Sequence, residues 1–380
     1  MDQVGAAVEL VGMTWDHPRG YDPLVACSTL WLQEKNVRIR WEKRSLQDFE
    51  SYPVEELARK YDLIVIDHPH VGEITAEGCL LPFDQPDRAE DRARLAAASV
   101  GPSYPSYFWQ GHQWALPIDA ATQVQAWRPD LLDAPASRWD EVLRLAEQGR
   151  ALCPMRPPHS LMSLFTIAAN LGCPSDEQRP DFIDVATGCR AFELIQDLTS
   201  RMDQRCYSMD PIAVLEEMSL TDTRIACAPL VYGYVSYSRE GFRPARVHFA
   251  NMPAAGECGP VGSAIGGTGI AVSAFSRYKE HAASFAYWIA SAPVQAGPYA
   301  AAGGQPGNVQ AWSSAKVNAP VADFYANTRA TLEGAWLRPR HKGYIGFQQW
   351  AGERLTRAWA AHESASQVIA EVNRAFRDSL

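Results

Sequence analysis

Apolar and polar positions along this chain follow two different periods. Residues 63–66 (Leu-Ile-Val-Ile) are an unbroken aliphatic run, the mark of a strand buried on both faces inside a parallel sheet. The run stops at Asp67-His68-Pro69-His70. An earlier segment repeats the arrangement: 8–15 (Val-Glu-Leu-Val-Gly-Met-Thr-Trp) runs into Asp16-His17-Pro18-Arg19-Gly20. Charged and imidazole side chains after the carboxyl end of a parallel strand occupy the place where open α/β sheets bind ligands. If the two strands are neighbours, two Asp-His-Pro loops face one cleft, and the ligand is expected between them.

Between these strands, Pro23 suits a first helical turn, and Leu24, Cys27, Leu30 and Trp31 recur at helical spacing until Asn36. Residues 37–42 alternate as a strand, and a helix is expected near 54–60. The opening therefore reads β-α-β-α-β, which implies right-handed crossovers and a mostly parallel sheet. Further helices are expected at 88–98, 138–149, 160–171, 192–202, 211–219 and 279–291. A Tyr/Pro/Phe/Trp loop covers 103–109. Strands are expected at 113–119, 122–128, 225–231 and 270–273. The glycine-rich stretch 259–269 comes before a strand and not between strand and helix, so it reads as a backbone crossing or hinge and not as a phosphate cradle. From 321 to 380 the pattern is helical, interrupted at 336–340. There is no internal repeat, low-complexity tract or long linker.

Composition narrows the classes. The chain has 380 residues, 47% hydrophobic and 21% charged, as in ordinary globular proteins with room for two cores. Its net charge of −9, with no Lys/Arg run, argues against nucleic acid. No apolar run approaches the ~20 residues that span a bilayer, so the chain is not membrane-embedded. Met1-Asp2-Gln3-Val4-Gly5 offers no basic n-region or apolar core of a signal peptide. As encoded, the expected location is the cytoplasm. A mature exported chain carrying a new Met would read the same and would sit in the periplasm. The 8 Cys (27, 79, 153, 173, 189, 206, 227 and 258) form no Cys-x-x-Cys pair and no zinc spacing. Scattered single cysteines suit a reducing compartment at least as well as disulfides.

Several stretches resemble the family-1 extracellular solute-binding proteins, the sugar-type receptors of ABC importers, with the type II periplasmic-binding-protein fold. Residues 107–132 (YFWQGHQWALPIDAATQVQAWRPDLL) are similar to the family's aromatic-Gly-x-x-Trp-x-Leu-Pro crossover. Residues 266–291 (GGTGIAVSAFSRYKEHAASFAYWIAS) resemble its glycine-rich return crossover and following helix, and 301–308 (AAGGQPGN) its Gln-Pro turn. With the β-α-β opening, these cover almost the whole chain. The resemblance implies an α/β protein of two lobes, each a mostly parallel sheet flanked by helices, joined by crossover strands, with a helical C-terminal region. Lobe 1 is then 1–117 plus 264–313, and lobe 2 is 118–263 plus 314–380, with the ligand cleft between them. The implied function is hinge closure over a small polar solute, a carbohydrate or sugar acid, as the substrate-binding component of an ABC importer. The partners are that solute and the importer's membrane subunits. No cofactor is called for, and the expected state is a monomer. The two Asp-His-Pro loops are more polar and titratable than a typical sugar receptor's, and no leader is visible.

The candidate site follows from both readings. Asp16, His17, Arg19, Asp67, His68 and His70 make a polar pocket from two strand ends. Its carboxylates would accept hydroxyl hydrogen bonds, and Arg19 would grip an anion or hydroxyls in a fork. The alternative is that Asp16 and Asp67 only cap the following turns. His-x-His is the one local metal-like spacing, too little to call a metal site. Trp15, Tyr232 and Tyr234 offer faces for a sugar ring, as do Tyr107, Trp109, Trp127 and Tyr237, with Trp127 better placed in a core. In the family picture Asp119 and Gln123 on one crossover, and Gly267 and Thr268 on the other, border the ligand; otherwise Asp119 and Gln123 pair crossover backbone. Arg338 and Arg340 could hold a carboxylate or phosphate, or form surface ion pairs. A rival reading is a cytoplasmic enzyme on the same fold, a lyase or hydrolase with Asp67, His68 and His17 as acid-base groups. A ligand sensor is a third. Thiaminase-like enzymes share the fold and use a Cys, which brings Cys153, Cys173 and Cys227 into view, with a buried inert thiol as the default.

Overall fold

The computed structural model describes residues 7–45 and 54–380. Residues 1–6, on which the reading of the N-terminus rests, lie outside them. The chain forms two compact units, residues 1–120 with 267–317 and residues 121–266 with 318–380.

The first unit is built on β1 (Val8–Trp15), α1 (Pro18–Lys35), β2 (Val37–Arg44), α2 (Val54–Lys60) and β3 (Leu63–Ile66). β1 lies between β2 and β3 and is parallel to both, with Gly12 opposite Leu63 and Met13 opposite Ile64. All four residues of β3 are buried, as the aliphatic run requires. Then come α3 (Val71–Ala76), β4 (Leu80–Leu81) and α4 (Ala89–Ala97). The 103–109 segment is a short helix at Ser103–Ser106 and one arm of a two-residue hairpin, Phe108–Trp109 with His112–Gln113.

α1 begins five residues earlier than the Pro23 signal suggests. His17 takes an extended conformation and its ring accepts from the Arg19 N–H, while Pro18 fills the first helical position. Pro23 therefore sits inside the helix, where its missing N–H forgoes only the bond to the Arg19 carbonyl. Asn36 ends α1 in the left-handed region, at φ 54°.

The expected strands at 113–119 and 122–128 are one strand, β5 (Leu116–Trp127), twelve residues long and buried almost throughout. Ala120 and Ala121, read as a break, continue the extended backbone. β5 carries the chain from the first unit into the second. There follow α5 (Trp139–Glu147), α6 (His159–Asn170), α7 (Val185–Ser200), α8 (Pro211–Met218), β6 (Cys227–Tyr232) and β7 (His248–Ala250). β6 and β7 both pair antiparallel with β5, so the second unit departs from the expected mostly parallel sheet. Parallel contact survives there only as single bridges such as Ala151 with Cys227. The return strand β8 (Ile265–Ser273) takes in the last five residues of the glycine-rich stretch and runs antiparallel to β3, with Gly269 opposite Ile66. Those glycines are strand residues because side chains close over them: a Cβ at Gly269 would lie 2.8 Å from the Tyr107 ring, and one at Gly266 2.7 Å from Tyr232.

After α9 (Lys279–Ala290), the second unit is completed by α10 (Phe324–Glu333), α11 (Tyr344–Ala360) and α12 (Ala365–Ser379). Every residue of α6 is buried; its polar side chains survive because they are paired, Asn170 alone bonding the carbonyls of Gly259 and Val261. The stacked rings of Phe182 and Phe376, 3.7 Å apart, fasten α12.

The tight spacing of β1 and β2 gives a test. A Cβ at Gly12 would lie 2.5 Å from the Trp41 ring. Gly12→Ala should destabilise the protein by about 1–3 kcal/mol through overpacking, read as a lower melting temperature; an unchanged one would mean that Trp41 moves aside freely.

Candidate functional site

The two Asp-His-Pro loops leave adjacent parallel strands at the same end of the sheet, as the pairing of β1 with β3 dictates. In the first loop, the Thr14 hydroxyl donates to the Gly20 carbonyl at 3.0 Å. His17 Nδ1 accepts from the Arg19 N–H at 3.1 Å, which places the proton of a neutral ring on Nε2. Trp15 lies against Gly20, where a Cβ would come within 2.4 Å of the indole. The Arg19 guanidinium is 5.9 Å from the centre of that ring.

Arg19 then meets Asp119, one hundred residues on. Its Nε donates to Oδ2 at 2.8 Å and its Nη2 donates to Oδ1. Arg19 is 3% exposed and Asp119 1%. This is a bidentate fork out of water, the geometry that suits arginine and not lysine. Burial pushes the Asp119 carboxyl above its usual range, against the pull of Arg19. Asp119 also forms a bridge with Pro306 of the 301–308 turn, and the neighbouring Ala120 exchanges bonds with Gln305.

Around the second loop, Asp67 accepts from the His68 backbone N–H at 2.8 Å and starts a 3-10 turn, His68–His70. Its Oδ1 lies 3.2 Å from His68 Nδ1. His68 and His70 are both buried. Tyr107 wedges beside them: its hydroxyl donates to the Ile66 carbonyl at 3.2 Å and lies 3.4 Å from that of Gly267. Its ring meets His68 edge-on at 6.3 Å. The antiparallel pairing ends at Gly269 opposite Ile66, so Thr268 and Gly267 lie on the return strand just beyond that pair, towards the second loop. Gly267 takes φ 91°, which favours glycine. Thr268 is 5% exposed, and its hydroxyl has no hydrogen-bond partner among the described residues.

Thus His17, Arg19, His68, His70, Asp119 and Thr268 are buried polar side chains of the first unit. Asp16 is not among them: it is exposed and pairs with Lys43 at 2.7 Å. No group of three or more His, Cys, Asp or Glu arranged to hold a metal ion occurs among the described residues.

In the second unit the candidates divide. Tyr232 is half-buried, donates to the Ala264 carbonyl at 3.1 Å and meets His159 edge-on at 5.9 Å. His159 escaped the sequence reading; its one signal is its place after Pro157-Pro158, at the first position of a helix. Tyr234 is buried against Tyr237, whose hydroxyl donates to Glu216 at 2.7 Å. Gln123 is held by α6, its Nε2 donating to Ser163 at 3.1 Å and its Oε1 accepting from Thr166 at 2.6 Å. Arg338 donates to the Ile265 carbonyl and to Gln348, each at 3.1 Å. Arg340 is half-buried, and burial lowers its pKa. Cys153 and Cys227 are buried thiols, Cys227 pushed up to about 12, the opposite of an activated nucleophile. Cys173 accepts from Arg179 at 2.9 Å.

The family model described as bacterial extracellular solute-binding protein matches residues 33–324. Among solved structures, a maltose-bound protein of T. maritima (MalE3) superposes with a TM-score of 0.83, at 14% identity, covering 98% of this chain and 100% of that one. A ribitol complex of an ABC transporter solute-binding protein from Agrobacterium radiobacter K84 gives 0.76 at 17%, covering 97% of each. A maltotriose-binding protein of Thermus thermophilus gives 0.77 at 17%, covering 98% of this chain and 99% of that one. At these identities the likeness is one of fold: two lobes of sheet and helix. No helix among the described residues is long and apolar enough to cross a membrane.

Two outcomes test this geometry. In Arg19→Met, Asp119 stays buried without its guanidinium, an expected loss of about 3–5 kcal/mol at pH 7. A carboxyl raised by burial keeps its proton in the folded state after the unfolded chain has released it, so its penalty grows as pH rises past the unfolded value of about 3.9. The loss should therefore shrink towards pH 4 in urea unfolding; an equal loss at both pH values would mean that the pair acts through packing alone. Thr268→Val replaces an unsatisfied hydroxyl with a methyl of the same shape. The ligand-free protein should melt at the same temperature or higher, and a clear drop would reveal a bond to Thr268 in the folded protein.

Proposed function

The chain belongs to the bacterial extracellular solute-binding proteins, and from that premise we propose that it binds a carbohydrate or sugar acid for an ABC importer. The observation that carries the reading is the row of buried polar side chains at the carboxyl ends of β1 and β3, with the buried Thr268 one residue beyond the Gly269–Ile66 pair on the return strand. Buried polar groups are costly unless paired. A polyhydroxylated solute supplies both donors and acceptors, and the Arg19–Asp119 fork would hold its polar partners in fixed orientation. The half-buried Tyr232, backed by His159, is the aromatic face best placed for a sugar ring in the second unit.

A solute that binds one conformation better than another shifts the population towards it, and hinge closure is the response expected here. The binding step needs no cofactor. The place of action we infer is outside the cytoplasmic membrane, with the importer's membrane subunits as protein partner and a monomer as the working state. The rival enzyme reading has one supporting distance, the 3.2 Å between Asp67 and His68. Asp67 is also committed to capping the turn, which suits a fixed binding wall better than a proton shuttle.

A thermal-shift screen against maltose, maltotriose, ribitol, tagatose and sugar acids tests this reading. A solute at 100 times its dissociation constant should add about 2.7 kcal/mol of stability. Thr268→Val should weaken the hit about tenfold, the worth of one hydrogen bond of about 1.4 kcal/mol, and His68→Ala should weaken it further. The hit should be recovered unchanged after overnight incubation. Its consumption would make the protein an enzyme, and full binding by both variants would remove the site from this strand end.

A further inference from the structure

At the other end of α1 the first unit holds a separate groove of about 940 Å³. Twelve residues separate Arg19 from Trp31, about 18 Å along a helix rising 1.5 Å per residue. The groove is therefore distinct from the polar row at the strand ends. Its volume is within the range of about 300–1,000 Å³ usual for small-molecule sites.

The lining is of two kinds. Trp31, Trp288 and Tyr287 form an aromatic side, with the two indoles 5.1 Å apart and tilted by 44°. Lys35, Arg88 and Arg94 bring positive charge, against the single carboxylate of Asp91. Lys35 lies 5.9 Å over the Trp31 ring and Arg88 5.2 Å over Tyr287. Asp91 accepts from Arg88 at 3.1 Å and from Arg94, and the exposed Glu90 lies 3.6 Å from Arg94. Arg88 also approaches Ser284 at 3.4 Å. The groove is thus cationic on a chain whose net charge is −9.

We propose that this groove is a second ligand site, selective for a small organic carboxylate with a flat apolar body. The ring would lie among Trp31, Trp288 and Tyr287. The carboxylate would lie in the field of Lys35 and Arg88. A neutral sugar would leave that charge unanswered, so the site is separate in chemistry as well as in place.

Titration calorimetry with 1-naphthoate as probe, and 1-naphthylmethanol as its neutral counterpart, tests this. The naphthoate should bind at one site, and the alcohol more than tenfold more weakly. Lys35→Gln, which removes the charge over the Trp31 ring, should weaken naphthoate several-fold, and Arg88→Gln should do likewise. Both variants should keep any sugar-induced thermal shift, and Thr268→Val should leave naphthoate affinity unchanged, so failure here and failure of the sugar reading are told apart. The proposal is overturned if naphthoate does not saturate at concentrations on the order of 1 mM, near −4.1 kcal/mol. Equal binding by the two groove variants, or loss of binding in Thr268→Val, would also overturn it. An acidic decapeptide binding more tightly than naphthoate would replace it with a protein partner.

Discussion

The fork between Arg19 and Asp119 is the constraint on which the first unit's polar end depends. It joins the first turn of α1 to the early part of β5. Neither side chain has water to fall back on, and the removal of either would leave a buried charge. Its geometry demands several other choices. Arg19 must leave the helix start at a set angle, which the His17 cap and Pro18 secure. Gly20 must be small enough for Trp15 to lie against it. Asp119 must be held by backbone, which the 301–308 turn does through Gln305 and Pro306. The ion pair is therefore better understood as a fixture that positions neighbouring groups than as a source of stability.

The same logic lets the solute recognition proposed above coexist with so many titratable residues. A wall that must present hydrogen-bonding groups in fixed directions needs those groups bound from behind. Asp67 is bound from behind by the amide it caps, His17 by the amide of Arg19, and Tyr107 by the carbonyl of Ile66. Chemistry that looked catalytic in sequence is compatible with a rigid surface for a solute that is held and released unchanged.

Much of the architecture was legible, and for identifiable reasons. β3 announced itself because four aliphatic residues in a row fit only a strand covered on both faces. β5 was split in two because Asp119, Thr122, Gln123 and Gln125 look like surface residues. They are buried, and their partners are distant in sequence: Gln125 binds the backbone of Ala136 at 2.6 Å, and Thr122 the carbonyl of Ala264 at 3.1 Å. Polarity pattern reports burial only where side chains are satisfied locally. The bonds of Arg338 were hidden for the same cause, since nothing near it in sequence names the Ile265 carbonyl as its partner. The capping role of Asp67 was visible, because Asx before proline is a local signal. His159 was not, because its relation to Tyr232 exists only once α6 and β6 have met.

The thiols carry a consequence of another kind. All eight cysteines are free, and Cys27, Cys206 and Cys227 are each pushed up to about 12 by burial, with Cys79 at about 11. The thiolate is the form that attacks a disulfide or an oxidant, and at neutral pH these groups hold almost none of it. The folded chain is thus chemically quiet in an oxidising medium wherever its cysteines lie deep, while the exposed Cys258 remains open to reagents. An unfolded copy loses that shelter at every site at once. At the buried thiols, oxidative damage would then act as a proofreader of folding, reaching them once the core has failed to form.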